Sequence, residues 1–319
     1  MSLLNKITCI ILISIAIIGC SPTEQGTTEA DSSNLTIYTT IYPIQYAVEQ
    51  IGGEAITVET VYPPGVDAHT YEPTTRDMTK IADGDGFIYL GAGMEGFAET
   101  AADALASQSV KLIEIGEHEE LFSDASHEGH DHEDQEEDSH HGHDHGDHDP
   151  HIWLDPQRMT EMAHIIKDEL IALNPENESL FNENLQALEE DLMELDQNFT
   201  DVLETKNNTK ILVSHAAFGY WEERYGIEQI SIHGLSSENE PSQRELIEIV
   251  DHAEEHELDY IIFEQNTSTQ VSEIIRDQIG AETLVIHNLA TLRDEDISNN
   301  EDYISLMNYN LDILDEATK

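Results

Sequence analysis

The sequence predicts an α/β fold of two parallel-sheet lobes bridged by a single long helix. Short β-branched runs alternate with helical patterns over residues 35–115, and the same alternation returns over residues 210–286. Between them Phe181, Leu185, Leu188, Leu192, Leu195, Phe199 and Val202 recur every three or four positions without a break. Strand–helix alternation implies parallel strands joined by crossover helices. A three-four stripe implies one face of a continuous helix.

In chain order, residues 35–39 read as the first strand, and 44–51 as a short helix closed by Gly52-Gly53. Residues 56–61 form a second strand that runs into Pro63-Pro64-Gly65. A helix over 74–82, a strand over 86–91, a helix over 96–107 and a strand over 110–115 follow. After an interruption the pattern resumes at His151, with a helix over 157–173. Asn174-Pro175 then caps the long helix, with proline in its first turn. That helix is predicted over residues 175–206, ~48 Å at 1.5 Å per residue. A coiled-coil dimer would give the same stripe, but α/β patterns on both sides favour one helix lying along two lobes. The second half reads as strands over 210–213, 229–233, 260–263 and 283–286, with helices over 217–225, 241–257, 269–279 and 302–314. The expected organisation is an N-terminal lobe over 34–174, a bridging helix over 175–207 and a C-terminal lobe over 208–319, in a chain acting as a monomer.

The interruption, residues 127–149, holds His127, His130, His132, His140, His141, His143, His145 and His148 among ten acidic residues, with no large apolar side chain. It cannot bury a core and reads as a loop. The whole chain of 319 residues carries 67 Asp+Glu against 13 Lys+Arg, a formal charge of −54. Nucleic-acid binding is excluded, because phosphate neutralisation needs clustered bases, and so is attachment to anionic lipid by a basic patch. Cys9 and Cys20 are the two cysteines, so the body of the chain has neither a disulfide nor a thiolate ligand. Residues 1–20 combine Lys6 with an apolar run over 7–18, too short to span a bilayer comfortably. The run ends Gly19-Cys20, similar to a bacterial lipobox. Cys20 would then carry lipid, residues 21–33 would be a polar tether, and the chain would work outside the cytoplasmic membrane, anchored to it.

Three histidines outside the loop share one context. His69 follows the second strand and its Pro-Pro-Gly turn, His151 sits in Pro-His-Ile-Trp-Leu-Asp-Pro, and His215 immediately follows the strand over 210–213. Ligand sites in open α/β sheets lie at the carboxyl ends of strands. Zinc accepts imidazole nitrogen at about 2.0–2.1 Å, and three histidines are a known protein set. Taken singly, each residue reads as a structural histidine. Taken together, they read as a metal set.

Residues 65–73 (GVDAHTYEP), 150–156 (PHIWLDP) and 214–220 (SHAAFGY) together resemble the metal-binding solute receptors of ABC importers, cluster A-I. The nearest branch is similar to the high-affinity zinc-uptake lipoproteins. The resemblance covers nearly the whole mature chain. It implies Zn2+ held between the lobes by His69, His151 and His215 and handed to an ABC permease driven by its ATPase. Manganese receptors of this fold usually have Glu where His215 stands, so imidazole there favours zinc over a harder ion. The acid that many members supply from a C-terminal loop aligns with Ala290, and the Glu that some place before the first histidine is Ala68. The fourth ligand is thus open between water, His287 and Glu264. Asp155 and Glu72 are candidates to orient the ligands, and Trp153, Phe218 and Tyr220 to wall the site or pack the core. The eight loop histidines would capture zinc weakly. A zinc hydrolase, a manganese receptor and a metal-buffering or adhesive surface lipoprotein are the alternatives. No Gly-x-Ser-x-Gly, His-Glu-x-x-His or P-loop accompanies the histidines to mark an enzyme.

Overall fold

The computed structural model describes residues 34–122, 148–236, 241–265 and 270–319. The lipobox with Cys20, the tether and the loop histidines 127, 130, 132, 140, 141, 143 and 145 lie outside the described residues. In the first lobe, β1 (Leu35–Thr39), β2 (Ile56–Thr60), β3 (Gly86–Tyr89) and β4 (Lys111–Glu114) form a parallel sheet in the order β2-β1-β3-β4. In the second, β5 (Lys210–His215), β6 (Glu228–His233), β7 (Tyr260–Glu264) and β8 (Glu282–Ile286) repeat that order as β6-β5-β7-β8. Each sheet therefore reverses its strand order once, between β1 and β3 and between β5 and β7. Such switch points open a crevice beyond the strand ends.

The helices are α1 (Tyr42–Gly52), α2 (Thr75–Ala82), α3 (Ala98–Leu105), α4 (Pro156–Leu173), α5 (Glu178–Leu203), α6 (Gly219–Tyr225), α7 (Gln243–Glu255), α8 (Gln270–Ile279), α9 (Asp294–Asn299) and α10 (Tyr303–Ala317). The bridging helix α5 packs on α1 and α4 of the first lobe and on α6 and α10. It has 26 residues, ~39 Å, and is shorter than predicted at both ends: Pro175–Asn177 wind as a 3-10 turn first, the tighter form common at helix ends, and the helix stops at Leu203. Its stripe ends on Leu203, which is buried, with Val202 half-buried. The predicted stripe stepped at 3.5 residues, and a straight helix at 3.6 drifts off that repeat. Helix α9 was not predicted: DEDISN has no apolar period, and its ends are set instead by Arg293 with Asp296 and by left-handed Asn300. Strand β5 extends two residues past the predicted end, so His215 is its last residue.

One apolar cluster runs from Ile37 through the α5 stripe to Val213 and Leu314, and a second fills one face of the second sheet around Ile261 and Phe263. A strap at residues 288–292 ties the lobes together. Trp153 Nε1 donates to Asn288 O (2.8 Å), Tyr42 N to Ala290 O (2.9 Å) and Gly65 N to Leu292 O (2.8 Å), and Thr291 Oγ1 to Val66 O (2.9 Å). Leu289 takes a left-handed φ of 61° within it. Its fully buried side chain holds a conformation that a leucine otherwise avoids. Among the described residues no helix is long and apolar enough to cross a membrane.

Candidate metal centre

His69, His151 and His215 arrive from three places. His69 lies in a turn after β2, where its amide donates to Asp67 Oδ1 (2.8 Å) and Tyr62 Oη donates to the preceding carbonyl of Ala68 (3.0 Å). His151 precedes the 3-10 turn Ile152–Leu154 that leads into α4. Its amide donates to Asp149 Oδ1 (3.0 Å), and the same oxygen meets its Nδ1 at 2.7 Å. Tyr220 Oη in turn fixes the Asp149 carbonyl (2.6 Å). His215 ends β5, and its Nδ1 bonds Glu264 Oε1 at the end of the adjacent β7. Ser214 Oγ (3.1 Å) and Asn288 Nδ2 (2.7 Å) also donate to Glu264.

The three rings meet, with centroids 5.5 Å apart for His69–His151, 5.3 Å for His151–His215 and 6.1 Å for His69–His215. One ligand nitrogen from each lies within 4.8 Å of the others, and this is the one such cluster of three or more His, Cys, Asp or Glu among the described residues. With Nδ1 of His151 and His215 held by carboxylates, Nε2 is the nitrogen left to each. His215 Nε2 is buried without a partner, a state that costs free energy unless something occupies it. Val66, Ala68, Met94, Trp153 and Ala290 wall the space, and Trp153 packs on the His151 ring at 5.3 Å. The free volume is about 20 Å3, close to one water molecule. These features fit a small cation with three imidazole ligands and one water-sized position.

The electrostatics prepare the imidazoles differently. Burial, reinforced by the two neighbouring rings, lowers His69 to about 4, so it is neutral with a lone pair to give. Burial also pulls His215 down, but the Glu264 charge and hydrogen bond outweigh it and raise the ring above its ordinary value. Burial pushes Glu264 up, and His215 then brings it below its ordinary value. An imidazole ligates a metal only in its neutral form.

The other expected residues fall elsewhere. His287 is not brought into the cluster: its Nδ1 accepts from Leu289 N (3.0 Å) and its Nε2 faces Asp296 Oδ2 (3.1 Å). Glu264 lines the space, but both its oxygens are engaged as described. Asp155 caps α4 through Gln157 N (2.9 Å) and pairs with Arg158, and Glu72 is exposed, so neither orients a ligand. The carboxylates that hold cluster rings are Asp149 on His151 and Glu264 on His215. Phe218 stacks on Trp221 at 4.7 Å in the core. His148 is half-buried, with its ring 5.9 Å from that of Phe122, and it directly precedes Asp149.

Two lobes meeting over a histidine cluster define a class, the two-lobed α/β proteins with a cation-sized histidine site between the lobes. The chain matches the family described as "Zinc-uptake complex component A periplasmic" over residues 37–317 and belongs to it. The zinc-binding lipoprotein AdcA of Streptococcus pneumoniae is 32% identical over 316 residues, 96% of this chain but 59% of that protein. The chain thus spans about three fifths of that longer relative. The high-affinity zinc uptake system protein ZnuA of Bacillus subtilis is 30% identical over 309 residues, covering 97% of this chain and 94% of that one. The crystal structure of the Zn(II)-bound ZnuA-like domain of S. pneumoniae AdcA superposes with a TM-score of 0.70 at 31% identity, over 89% of this chain and 99% of that domain.

Proposed function

We propose that this protein is an extracytoplasmic receptor that captures Zn2+ on His69, His151 and His215 and delivers it to an ABC permease and its ATPase. The observation that carries the reading is the unpartnered, buried Nε2 of His215 inside a three-histidine cluster assembled from both lobes. The names of the relatives, zinc-binding and zinc-uptake proteins, point the same way. An all-imidazole donor set suits zinc better than manganese, which prefers oxygen. A water-sized free volume suits capture better than hydrolysis, which needs room for a substrate beside the metal-bound water. In this reading Asp149 and Glu264 hold two rings in the ligating tautomer, and Trp153 and Met94 shield the ion from solvent. Lipid on Cys20 anchors the chain, and the histidines of residues 127–148 gather zinc weakly nearby.

The test is a competition titration of the mature chain, with and without residues 127–147, and with His215→Ala. One tight zinc per chain that survives loop deletion and fails in His215→Ala is expected. Tight binding that disappears with the loop and ignores His215 would make the protein a metal-buffering surface lipoprotein instead.

A further inference from the structure

The strap at residues 288–292 touches the support of every histidine in the cluster. Asn288 Nδ2 donates to Glu264 Oε2 (2.7 Å), and Glu264 holds the His215 ring. Asn288 O accepts from Trp153 Nε1, and Trp153 packs on the His151 ring. Thr291 Oγ1 donates to Val66 O and Leu292 O accepts from Gly65 N, just before the turn that carries His69. The residue that keys the strap is the buried His287. Its Nδ1 accepts from Leu289 N (3.0 Å), two residues on, as the side-chain oxygen of an Asx turn does. That bond closes over the left-handed φ of Leu289. A ring nitrogen that accepts leaves the proton of a neutral imidazole on the other nitrogen, and Nε2 faces Asp296 Oδ2 (3.1 Å). Arg293 Nη2 (2.7 Å) and Arg293 N (2.8 Å) anchor Asp296 in turn. Asn310, fully buried on α10, accepts from His287 N (2.8 Å) and donates to His287 O (2.7 Å).

Resting on the zinc reading above, we propose that His287 is a positioning residue for the zinc site: through the Leu289 amide it sets the strap, and the strap sets the supports of all three imidazoles. It touches no metal itself. A leucine stays left-handed only where its surroundings hold it there, and the Nδ1 bond is the polar contact that holds this one. Gln265 Nε2 lies farther from the same nitrogen, at 3.4 Å, and also serves Asn288 Oδ1 (3.2 Å). A binding site loses precision when the residues behind it are free to shift, so a slack strap loosens all three rings at once. Two substitutions separate the arms of the imidazole. Asparagine puts an oxygen where Nδ1 sits and restores the bond to Leu289 N, but it cannot reach Asp296. Glutamine puts an amide nitrogen near Nε2 and can reach Asp296, but it leaves Leu289 N without its acceptor. A histidine that only fills the core would lose its role in both.

The experiment compares His287→Asn and His287→Gln in the mature chain, with His215→Ala beside them. Zinc affinity should fall by about tenfold in His287→Gln, the low end for outer partners, and stay within about threefold of the parent in His287→Asn. The indole N–H resonances of the zinc-free chains read the strap without metal. Trp153 Nε1 donates to the strap, whereas Trp221 Nε1 donates to Leu154 O (2.8 Å), off the strap. His287→Gln should shift the Trp153 resonance and speed its exchange with solvent, His287→Asn should leave it in place, and Trp221 should hold in both. If His287→Gln does not fold, the ring-nitrogen shifts of His287 in the parent decide, since Nδ1 must be the nitrogen without a proton. The proposal is overturned if the two variants lose zinc equally, if the two indoles respond alike, or if Nδ1 carries the proton. Tight zinc that persists in His215→Ala would overturn the three-histidine reading instead, and the Trp153 resonance would still decide whether His287 sets the strap.

Discussion

The two sheets share one strand order, and each places a buried glutamate at its switch point, yet the two glutamates do different work. In the first lobe Glu95 accepts from Thr40 Oγ1 (2.5 Å) past the end of β1 and from the amides of Leu90 (3.0 Å) and Gly91 (2.8 Å) past the end of β3. Gly91 aims its amide there with a φ of 71°, and a Cβ at that position would fall 2.2 Å from Glu114. In the second lobe Glu264 accepts from Ser214 and Asn288 and meets an imidazole. Burial raises Glu95 to about 7 against its three hydrogen bonds, whereas His215 keeps Glu264 below its ordinary value. One crevice is closed by its own backbone. The other gives its buried carboxylate an imidazole partner whose second nitrogen faces the histidine cluster. Topology supplies the crevice, and the partner of the carboxylate decides whether it becomes a site.

The largest expected effects break the second crevice. His215→Ala removes a proposed ligand and should cost more than about 100-fold in zinc affinity, beyond the range for outer partners. Asp149→Asn and Glu264→Gln leave the ligands in place but release their rings. Each should cost about 10–100-fold, whereas Glu95→Gln should leave affinity within error. Competition titration with a chelating dye on all four variants checks this. Equal losses for Glu95→Gln and Glu264→Gln would erase the distinction between the two lobes.

The fold was largely legible because alternation and the stripe on α5 are local signals. The three histidines were legible as a group because each sits at a strand end or in a turn. Their outer partners were not, for two separate reasons. Asp149 lies two residues before His151, but it closes a run of acids and nothing in the sequence sets it apart from them. Glu264 was visible as a strand-end acid, but its bond to His215 exists only because β5 pairs with β7 across some fifty residues. Glu95 carries no local signal at all, since its partners are backbone amides placed by the sheet. His287 reads in sequence as a possible ligand, but its partner Asp296 sits on α9, which the periodicity does not reveal.

An intermediate effect separates the two carboxylates by pH. Glu95 has a folded value of about 7 against 4.5 for an ordinary glutamate, so the folded state holds the extra proton between these values. Stability therefore falls as pH rises from about 4.5 to 7, by roughly 3 kcal/mol from this group, and the loss is complete above 7. Thermal unfolding of the zinc-free chain and of Glu95→Gln, measured from pH 5 to 8, should show the variant gaining relative to the parent as pH rises. A constant gap between the two curves would show that Glu95 stays ionised throughout.

The smallest effects come from a matched pair of hydroxyl deletions that sharpen the same comparison. Thr40→Val and Ser214→Ala each remove one hydroxyl from a switch-point glutamate while keeping the fold of the strand end. The Thr40 bond is short and to a buried carboxyl, so its loss should cost about 1.5 kcal/mol of stability and push Glu95 further up, because that bond acts to lower it. Zinc affinity should not change, since no ligand is touched. Ser214 shares Glu264 with Asn288 and with the His215 ring, so two partners remain to hold the carboxylate in place. Ser214→Ala should therefore lower zinc affinity by less than about fivefold, within about 1 kcal/mol. Denaturant unfolding of the metal-free chains and zinc competition on the same samples read both quantities. If Thr40→Val altered zinc affinity as much as Ser214→Ala, the first crevice would be part of the binding machinery and not its scaffold.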